Sequence, residues 1–573
     1  MRSRRVVLLL GLVSLVGLSL LLFRTTSAPI ILASEFPIKH DKPLQPADHP
    51  SPADEDAHPI AQLLSKSQTS WKDIRSRQSK TLEEAVKEYQ RRYKLPPPPN
   101  FEVWFKFAKA RGVALIDEYD TIYHALLPFW GLQPKIIRDR AKEALGFDNA
   151  LIGVLIRNGN IALVDGGGDG QLWKREALAG MITKFVRYLP NMDLAFNTHD
   201  EPRVIIPSDD LQRLVSHALD ASIPQLRNRS MENIWTSPAD LNKGDRIEEF
   251  RTTRFNWFPH QPTWTTSRSS CPVDSPARDL NEGAPDKVGA YSFSDLGFVY
   301  NITAFSDICL SPSLRYTFGM FDRPNAMNIV HDLFPIFSES KVSSFQDILY
   351  PSPWYWAGRV TYEADKDPSW DKKKDQMYWR GSTTGGFSRA GGWRRQHRQH
   401  FVKNINALGD AKILEKHDGK WTTKSVKRSD FEPLFNVSFS HVGQCDPEDC
   451  DAQTQFFHLV EPAPQQDAWG YKYLVDIDGN AFSGRYYALL KSNSLVYKSA
   501  VFREWHSEWI RPWVHYIPLS LKGDEHLESV RYFAKEEEGR RYAAFIAQES
   551  SKWAKKALNN DALEVWFFRL LLE

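Results

Sequence analysis

Cysteine is scarce in this chain, and no charge of one sign predominates. Only Cys271, Cys309, Cys445 and Cys450 occur in 573 residues. None forms a Cys-x-x-Cys, which makes a zinc site the weaker of two readings. The stronger is a disulfide framework: Cys445 and Cys450 can close a small local loop, and Cys271 can then pair with Cys309, one of the three connectivities that four cysteines allow. Net charge is +2, so nothing global points to nucleic acid. The glycine-rich run 165–170 lacks the ordered G-x-G-x-x-G start of a dinucleotide fold and reads as a loop. A second run of small residues, 381–386, has no Gly-Lys-Ser/Thr after it and is not a P-loop.

What is present describes a globular protein of two or three domains. The chain is too long for one core, with 42% hydrophobic and 25% charged residues. Aromatics are many, with 19 Trp, 20 Tyr and 33 Phe. Aromatic faces suit sugar rings, but most of these read as core.

Arg2, Arg4 and Arg5 precede an uncharged run from Val6 to Phe23. Eighteen apolar residues are near the lower limit for crossing a bilayer, and the leading arginines favour a cytosolic N-terminus. Residues 1–5 are therefore expected as a cytosolic tail and 6–23 as an uncleaved signal-anchor, with a cleaved signal peptide as the alternative. Three sequons, at Asn228, Asn301 and Asn436, agree with luminal exposure. Residues 24–78, rich in Pro, Asp, His and Ser, read as a flexible stem.

Residues 79–145 read as helical, beginning with a capping box of Thr81 and Glu84. Leu151–Val164 reads as a hairpin turning at Asn158-Gly159, and a helix is expected from about Trp173 to Tyr188. Met192 begins a short strand that empties into the polar loop His199-Asp200-Glu201-Pro202. Residues 208–290 are irregular, polar and aromatic, the character of a long functional loop region.

From about residue 354, strand and helix patterns alternate, which argues for a doubly wound sheet. Strands are expected at Ala411–Leu414, Phe435–His441, Phe456–Leu459, Tyr473–Ile477, Ser494–Tyr497 and Val514–Ile517. Helices are expected at about Trp393–Ala407 and Gly484–Lys491, and as amphipathic segments over 521–573. The domain boundaries implied are 146–335 for a first α/β unit and 336–520 for a second.

Two stretches carry the chemistry. Met377-Tyr-Trp-Arg-Gly-Ser-Thr-Thr-Gly-Gly-Phe387 runs an apolar lead-in into small residues with one arginine. Tyr471-Lys-Tyr-Leu-Val-Asp-Ile-Asp-Gly-Asn-Ala-Phe-Ser-Gly-Arg485 reads as a buried strand, a turn and a helix start. Trp379-Arg-Gly-Ser, Asp478-Gly-Asn with Ser483 and Arg485, Ser494-Leu-Val-Tyr-Lys498 and Trp513-Val-His-Tyr-Ile-Pro518 follow one another in the order of the CAP10-type glycosyltransferases. The chain resembles that family from about Tyr89 onward. The family includes fungal capsule xylosyltransferases and animal protein O-glucosyltransferases.

The resemblance implies a GT-B-like α/β fold, two Rossmann-like domains facing a cleft. It implies an inverting, metal-independent transfer of xylose or glucose from a UDP-sugar to a glycan or glycoprotein hydroxyl. UDP-xylose leads and UDP-glucose follows. The site expected is on Golgi or ER membranes, single-pass type II, with the catalytic region luminal. Asn197 and Asp200 keep the spacing of the family's Asn-x-x-Asp-x-Pro-like segment, so Asp200 is expected as general base. Arg380, Gly381, Ser382, Thr383, Ser483 and Arg485 are expected around the diphosphate, with Arg389 as a helper. Asp476-Ile-Asp478 matches the D-x-D of metal-dependent transferases, but Asp478 reads as a turn residue holding backbone N–H groups, and no metal ligand is expected. The competing readings are an inactive luminal carbohydrate-binding protein and a D-x-D transferase.

Overall fold

The computed structural model describes residues 56–227, 235–281 and 283–573. The expected tail, anchor and first part of the stem, and the Asn228 sequon, lie outside the described residues. Among the described residues no helix is long and apolar enough to cross a membrane.

The stem reading is overturned from residue 59 onward. Pro59–Ser76 is a helix (α1) whose Ile60, Leu63 and Leu64 are buried, as are Trp71 and Ile74 near its far end. His58 caps it, accepting from the Ile60 N–H at 3.1 Å, and Pro59 suits the first turn. The i, i+3, i+4 spacing of Ile60, Leu63 and Leu64 was the helical signal, hidden by the polar composition around it. Helix α2 (Leu82–Tyr93) starts at the expected capping box, with both reciprocal bonds formed. Helices α3 (Phe101–Ala110) and α4 (Pro134–Gly146), with the short helix Asp120–Leu126 between them, precede the first sheet.

That sheet has five strands. Strands β1 (Leu151–Arg157) and β2 (Asn160–Gly166) form the expected hairpin, and Asn158 and Gly159 both take the positive φ its tight turn requires. After helix α5 (Leu172–Thr183) come β3 (Met192–Asn197), β4 (Ile336–Ser338) and β5 (Ile348–Leu349). The order is β2-β1-β3-β4-β5. Strands β2 and β3 run antiparallel to β1, whereas β3, β4 and β5 are mutually parallel. The sheet is therefore mixed, not an all-parallel Rossmann-like one. The expected boundary at 335/336 also moves, because β4 and β5 complete this first sheet.

The second sheet begins at β6 (Lys374–Ser382). Helix α6 (His397–Ile405), β7 (Phe435–His441) and helix α7 (Pro447–Phe457) follow, then β8 (Tyr471–Ile477), helix α8 (Tyr486–Lys491), β9 (Leu495–Ser499) and β10 (Ile517–Pro518). All neighbours are parallel, in the order β7-β6-β8-β9-β10. Phe435–His441 is a strand as expected. Ala411–Leu414 lies in a separate hairpin of 410–417 with 420–427, and Phe456 and Phe457 end α7 instead of opening a strand. Strand β9 is buried at every position, the mark of a sheet covered on both faces. Tyr473, Val475 and Ile477 pack with Phe401, Val530 and Phe533, while Leu474 packs with Tyr486 and Leu489.

Three helices close the chain: α9 (His526–Lys535), α10 (Glu537–Ala557) and α11 (Asn560–Leu572). α10 is amphipathic, as expected, but α9 is buried from His526 to Ala534. α11 is likewise buried at every position from Ala562 to Leu572 and packs on α3 and α5, within the core of the first sheet. Both disulfides are formed, Cys271–Cys309 and Cys445–Cys450.

Candidate active site

Chain order and space reverse between β6 and β8. From β6 the chain moves outward to β7, then returns to β8 on the other side. The carboxyl ends of strands at such a switch point are where an open α/β sheet binds ligands. A cavity of about 380 Å³ lies there. Its wall is built by Gly381, Ser382 and Thr384 after β6, by Gly479, Asn480, Phe482, Ser483, Gly484 and Arg485 after β8, by Arg398 of α6, and by Asp200.

Asp200 arrives from the other sheet. At the end of β3, Asn197 donates to the Glu201 carbonyl at 2.8 Å and to Ser338 Oγ at 3.1 Å, and accepts from the His199 N–H at 3.0 Å. This folds 198–201 into a turn around one amide. Asp347 fixes the chain beyond, accepting from the N–H groups of Arg203 and Val204 and from Ser338 Oγ. The turn projects Asp200 into the cleft. Its carboxylate is open to the cavity yet walled by protein. Desolvation therefore raises its pKa, the nearby Glu339 charge adds to this, and Lys174 opposes. A raised carboxylate is a better proton acceptor near neutral pH. His199 is turned to Arg203, and burial with that guanidinium pushes its pKa down to about 3, so its imidazole is neutral.

Of the residues expected around a diphosphate, Gly381, Ser382, Ser483 and Arg485 line the cavity. A Cβ on Gly381 would lie 2.5 Å from the Trp379 ring, so only glycine fits that approach. Arg380 does not line the cavity. Its guanidinium turns toward β7, donating to the Trp379 and Asn436 carbonyls at 2.9 and 2.8 Å and to Asn436 Oδ1, because alternate residues of a strand face opposite ways. Thr383 is buried, exchanging hydrogen bonds with Gly443 that tie β6 to the segment after β7. Arg389 pairs with Asp446 at 2.7 Å on the surface. Asn436 gives its amide to Tyr471 Oη at 2.9 Å, so its sequon is held within the sheet.

The second guanidinium at the cavity is Arg398, which belongs to the basic run after the Met377–Phe387 stretch and to which the sequence assigned no role of its own. It is buried and donates to the carbonyls of Ile477, Asp478 and Ser382 and to Thr384 Oγ1. Burial, reinforced by the neighbouring Arg485 charge, pushes its pKa down to about 9. Burial also lowers the pKa of Arg485, with Asp476 acting in the opposite sense. Among the described residues neither arginine forms an ion pair with a carboxylate. Two desolvated, unneutralised cations facing one cavity suit a polyanion such as a diphosphate.

Asp476 and Asp478 lie beneath the wall. Asp476 takes the Lys498 ammonium at 2.9 Å. Asp478 accepts from the N–H groups of Val501 and Phe502, at 2.7 and 3.1 Å, and burial pushes its pKa to about 7. Trp354 and Tyr355 bind the carbonyls of Gly484 and Ser483, at 3.1 and 2.9 Å, and so fix the loop that carries Arg485.

Residues 312–573 match the model of glycosyl transferase family 90. The human Protein O-glucosyltransferase 1 is 25% identical over 285 residues, covering 46% of this chain and 62% of that protein. The O-glucosyltransferase rumi homolog of Aedes aegypti is 24% identical over 261 residues, 41% of this chain and 54% of its own length. The rat Protein O-glucosyltransferase 3 is 36% identical over 109 residues, 18% of this chain and 20% of that protein. Asp200 lies before the stretch that matches the family model, so its place at the cavity rests on the fold.

Proposed function

Because residues 312–573 belong to glycosyl transferase family 90, we propose that this chain is a glycosyltransferase that moves a sugar from a UDP-sugar to a hydroxyl group with inversion. One observation carries the reading: Arg398 and Arg485 share a cavity with Asp200, which comes from the other sheet. The arginines hold the diphosphate as charge grows on it. Asp200 takes the acceptor proton from the opposite side. Attack opposite the leaving group turns an α-linked donor into a β-linked product.

UDP-glucose is the donor proposed first, ahead of UDP-xylose, and a protein hydroxyl the acceptor, a reading supported by the similarity to protein O-glucosyltransferases. The reading includes a GT-B arrangement, supported by a cavity between the carboxyl ends of strands from two sheets. It also includes a reaction without a metal, supported by the engagement of Asp476 with Lys498 and of Asp478 with backbone N–H groups. Two disulfides favour an oxidising compartment, and the run Val6–Phe23 would hold the enzyme in a secretory membrane as a type II protein.

Purified protein is incubated with a panel of UDP-sugars, with and without EDTA, and release of UDP is followed. UDP-glucose turnover that survives EDTA and disappears in Asp200→Asn is expected. Turnover abolished by EDTA would favour the metal-dependent route through Asp476 and Asp478. No binding or turnover of any UDP-sugar would remove the reading.

A further inference from the structure

We propose that Asn480 is a positioning residue for Asp200, tying the orientation of the base to the glycine turn after β6. The inference rests on the cleft reading above and adds a residue to it. Asn480 Nδ2 donates to Asp200 Oδ2 at 3.4 Å, across the cleft and 280 residues away in sequence. The other end of the same amide accepts from the backbone N–H groups of Gly385 and Gly386, at 3.2 and 3.3 Å.

This arrangement leaves the amide one sensible orientation. Its oxygen must face two N–H donors, so its NH2 must face the carboxylate. Reversed, it would set donors against donors and oxygen against oxygen. Asn480 thus offers Asp200 a donor, which favours the ionised form needed for proton abstraction.

The anchor itself is fixed. Gly385 and Gly386 have φ of 113° and 126°, in a region open to glycine. Gly319 crosses directly over them, so closely that a Cβ on it would lie 1.7 Å from the Gly385 oxygen. A turn pinned in this way holds Asn480, and Asn480 holds the base. The 3.4 Å separation is long for a hydrogen bond. Bonds to a catalytic base commonly shorten when substrate closes the site.

The other charged groups near Asp200 are Glu339, Lys174 and Glu201 on its own half, and Arg398 and Arg485 across the cavity; His199 is adjacent in the chain. None of them bridges the two halves through a neutral amide.

The test reads the titration of Asp200 through binding. UDP-glucose has no group that titrates between pH 4 and pH 9, whereas ionised Asp200 repels its diphosphate. Calorimetric dissociation constants are measured across that range for wild type, Asp200→Asn, Asn480→Ala, Asn480→Asp and the double variant Asp200→Asn/Asn480→Asp. Wild type should lose affinity through an inflection that Asp200→Asn removes, separate from those of Asp478 at about pH 7, Glu201 at about pH 8 and Arg398 at about pH 9, which remain in that variant. Asn480→Asp should move that inflection to higher pH by about one unit, as a like charge beside a carboxylate does. The double variant separates out the new carboxylate's own titration. Asn480→Ala should move the inflection less, in the same direction. An Asp200-dependent inflection left at the wild-type pH in both Asn480 single variants overturns the proposal, as does an Asp200→Asn profile that keeps every wild-type inflection. UDP-glucose failing to bind wild type at any pH overturns the glycosyltransferase reading as well.

Discussion

The guanidinium of Arg485 donates to the backbone carbonyl of Arg380. The two residues thus meet, but only one side chain reaches the cavity, because Arg380 extends its own toward Asn436. The pair of cations facing the cleft is Arg398 with Arg485.

Arg485→Ala and Arg398→Ala should each weaken UDP binding by about tenfold or more, the scale of one charge-assisted hydrogen bond in a desolvated site. Arg380→Ala should leave UDP affinity within about threefold and lower the melting temperature, since it takes the donor away from the Asn436 carbonyl and Oδ1. Calorimetric titration of the three variants, with circular dichroism to confirm folding, decides between this assignment and one that keeps Arg380 at the diphosphate.

Asp200→Asn should reduce transfer from UDP-glucose by about 10²- to 10⁴-fold, the usual contribution of a general base. UDP affinity should hold or rise slightly, because a negative charge facing the diphosphate is gone. Transfer at the wild-type rate would remove Asp200 from the mechanism.

Glu201, beside the base, gives a pH dependence of stability. Burial, with the Asp200 charge adding to it, raises its pKa from 4.5 to about 8. Between those values the unfolded chain sheds a proton that the folded one keeps. The contribution of Glu201 is therefore whole below about pH 4.5 and is lost as pH rises to about 8. Glu201→Gln keeps the acceptor for the Ala326 N–H and cannot ionise. Relative to wild type it should gain on the order of 2 kcal/mol between pH 5 and pH 7. Urea unfolding at several pH values would show this as two curves that diverge upward in pH; parallel curves would mean that the Glu201 carboxyl is not desolvated.

Trp71→Ala should cost about 3–5 kcal/mol, as removal of a buried tryptophan does. Trp71 meets Trp553 and His515 edge to face, with ring centroids 5.0 Å apart in each case. A change below 1 kcal/mol in denaturant unfolding would return α1 to the status of a loose tether.

The hairpin at Asn158-Gly159, the capping box at Thr81 and the strand Phe435–His441 were legible because each is written locally, in turn chemistry, a cap or a run of alternating burial. The course of β6 and β8 into small-residue turns was legible for the same reason, and it forms one wall of the cavity. Arg398 was not, because its role comes from α6 folding back over the Asp478 carbonyl, a contact 80 residues away. Asn480 was visible only as a turn residue, since its partner Asp200 belongs to a different sheet. The Phe456–Leu459 strand failed because a short apolar run suits a helix end as well as a strand. The side chain of Arg380 was misplaced because a motif shows that an arginine is present but not which face of its strand it takes.

α11 sets a limit on how this protein can be divided. It belongs to the stretch that matches the family, yet its neighbours, α3 and α5, come from before that stretch. Phe568 stacks on Phe185 at 4.6 Å, and Trp104 donates to the Val565 carbonyl at 3.0 Å. A fragment cut at residue 312 would strip Phe568 of Phe185 and Phe107, and Phe567 of Phe196, and the apolar surface so bared drives association. The span of recognisable similarity is shorter than the span that must fold together, and expression of the matched stretch needs the helices that come before it.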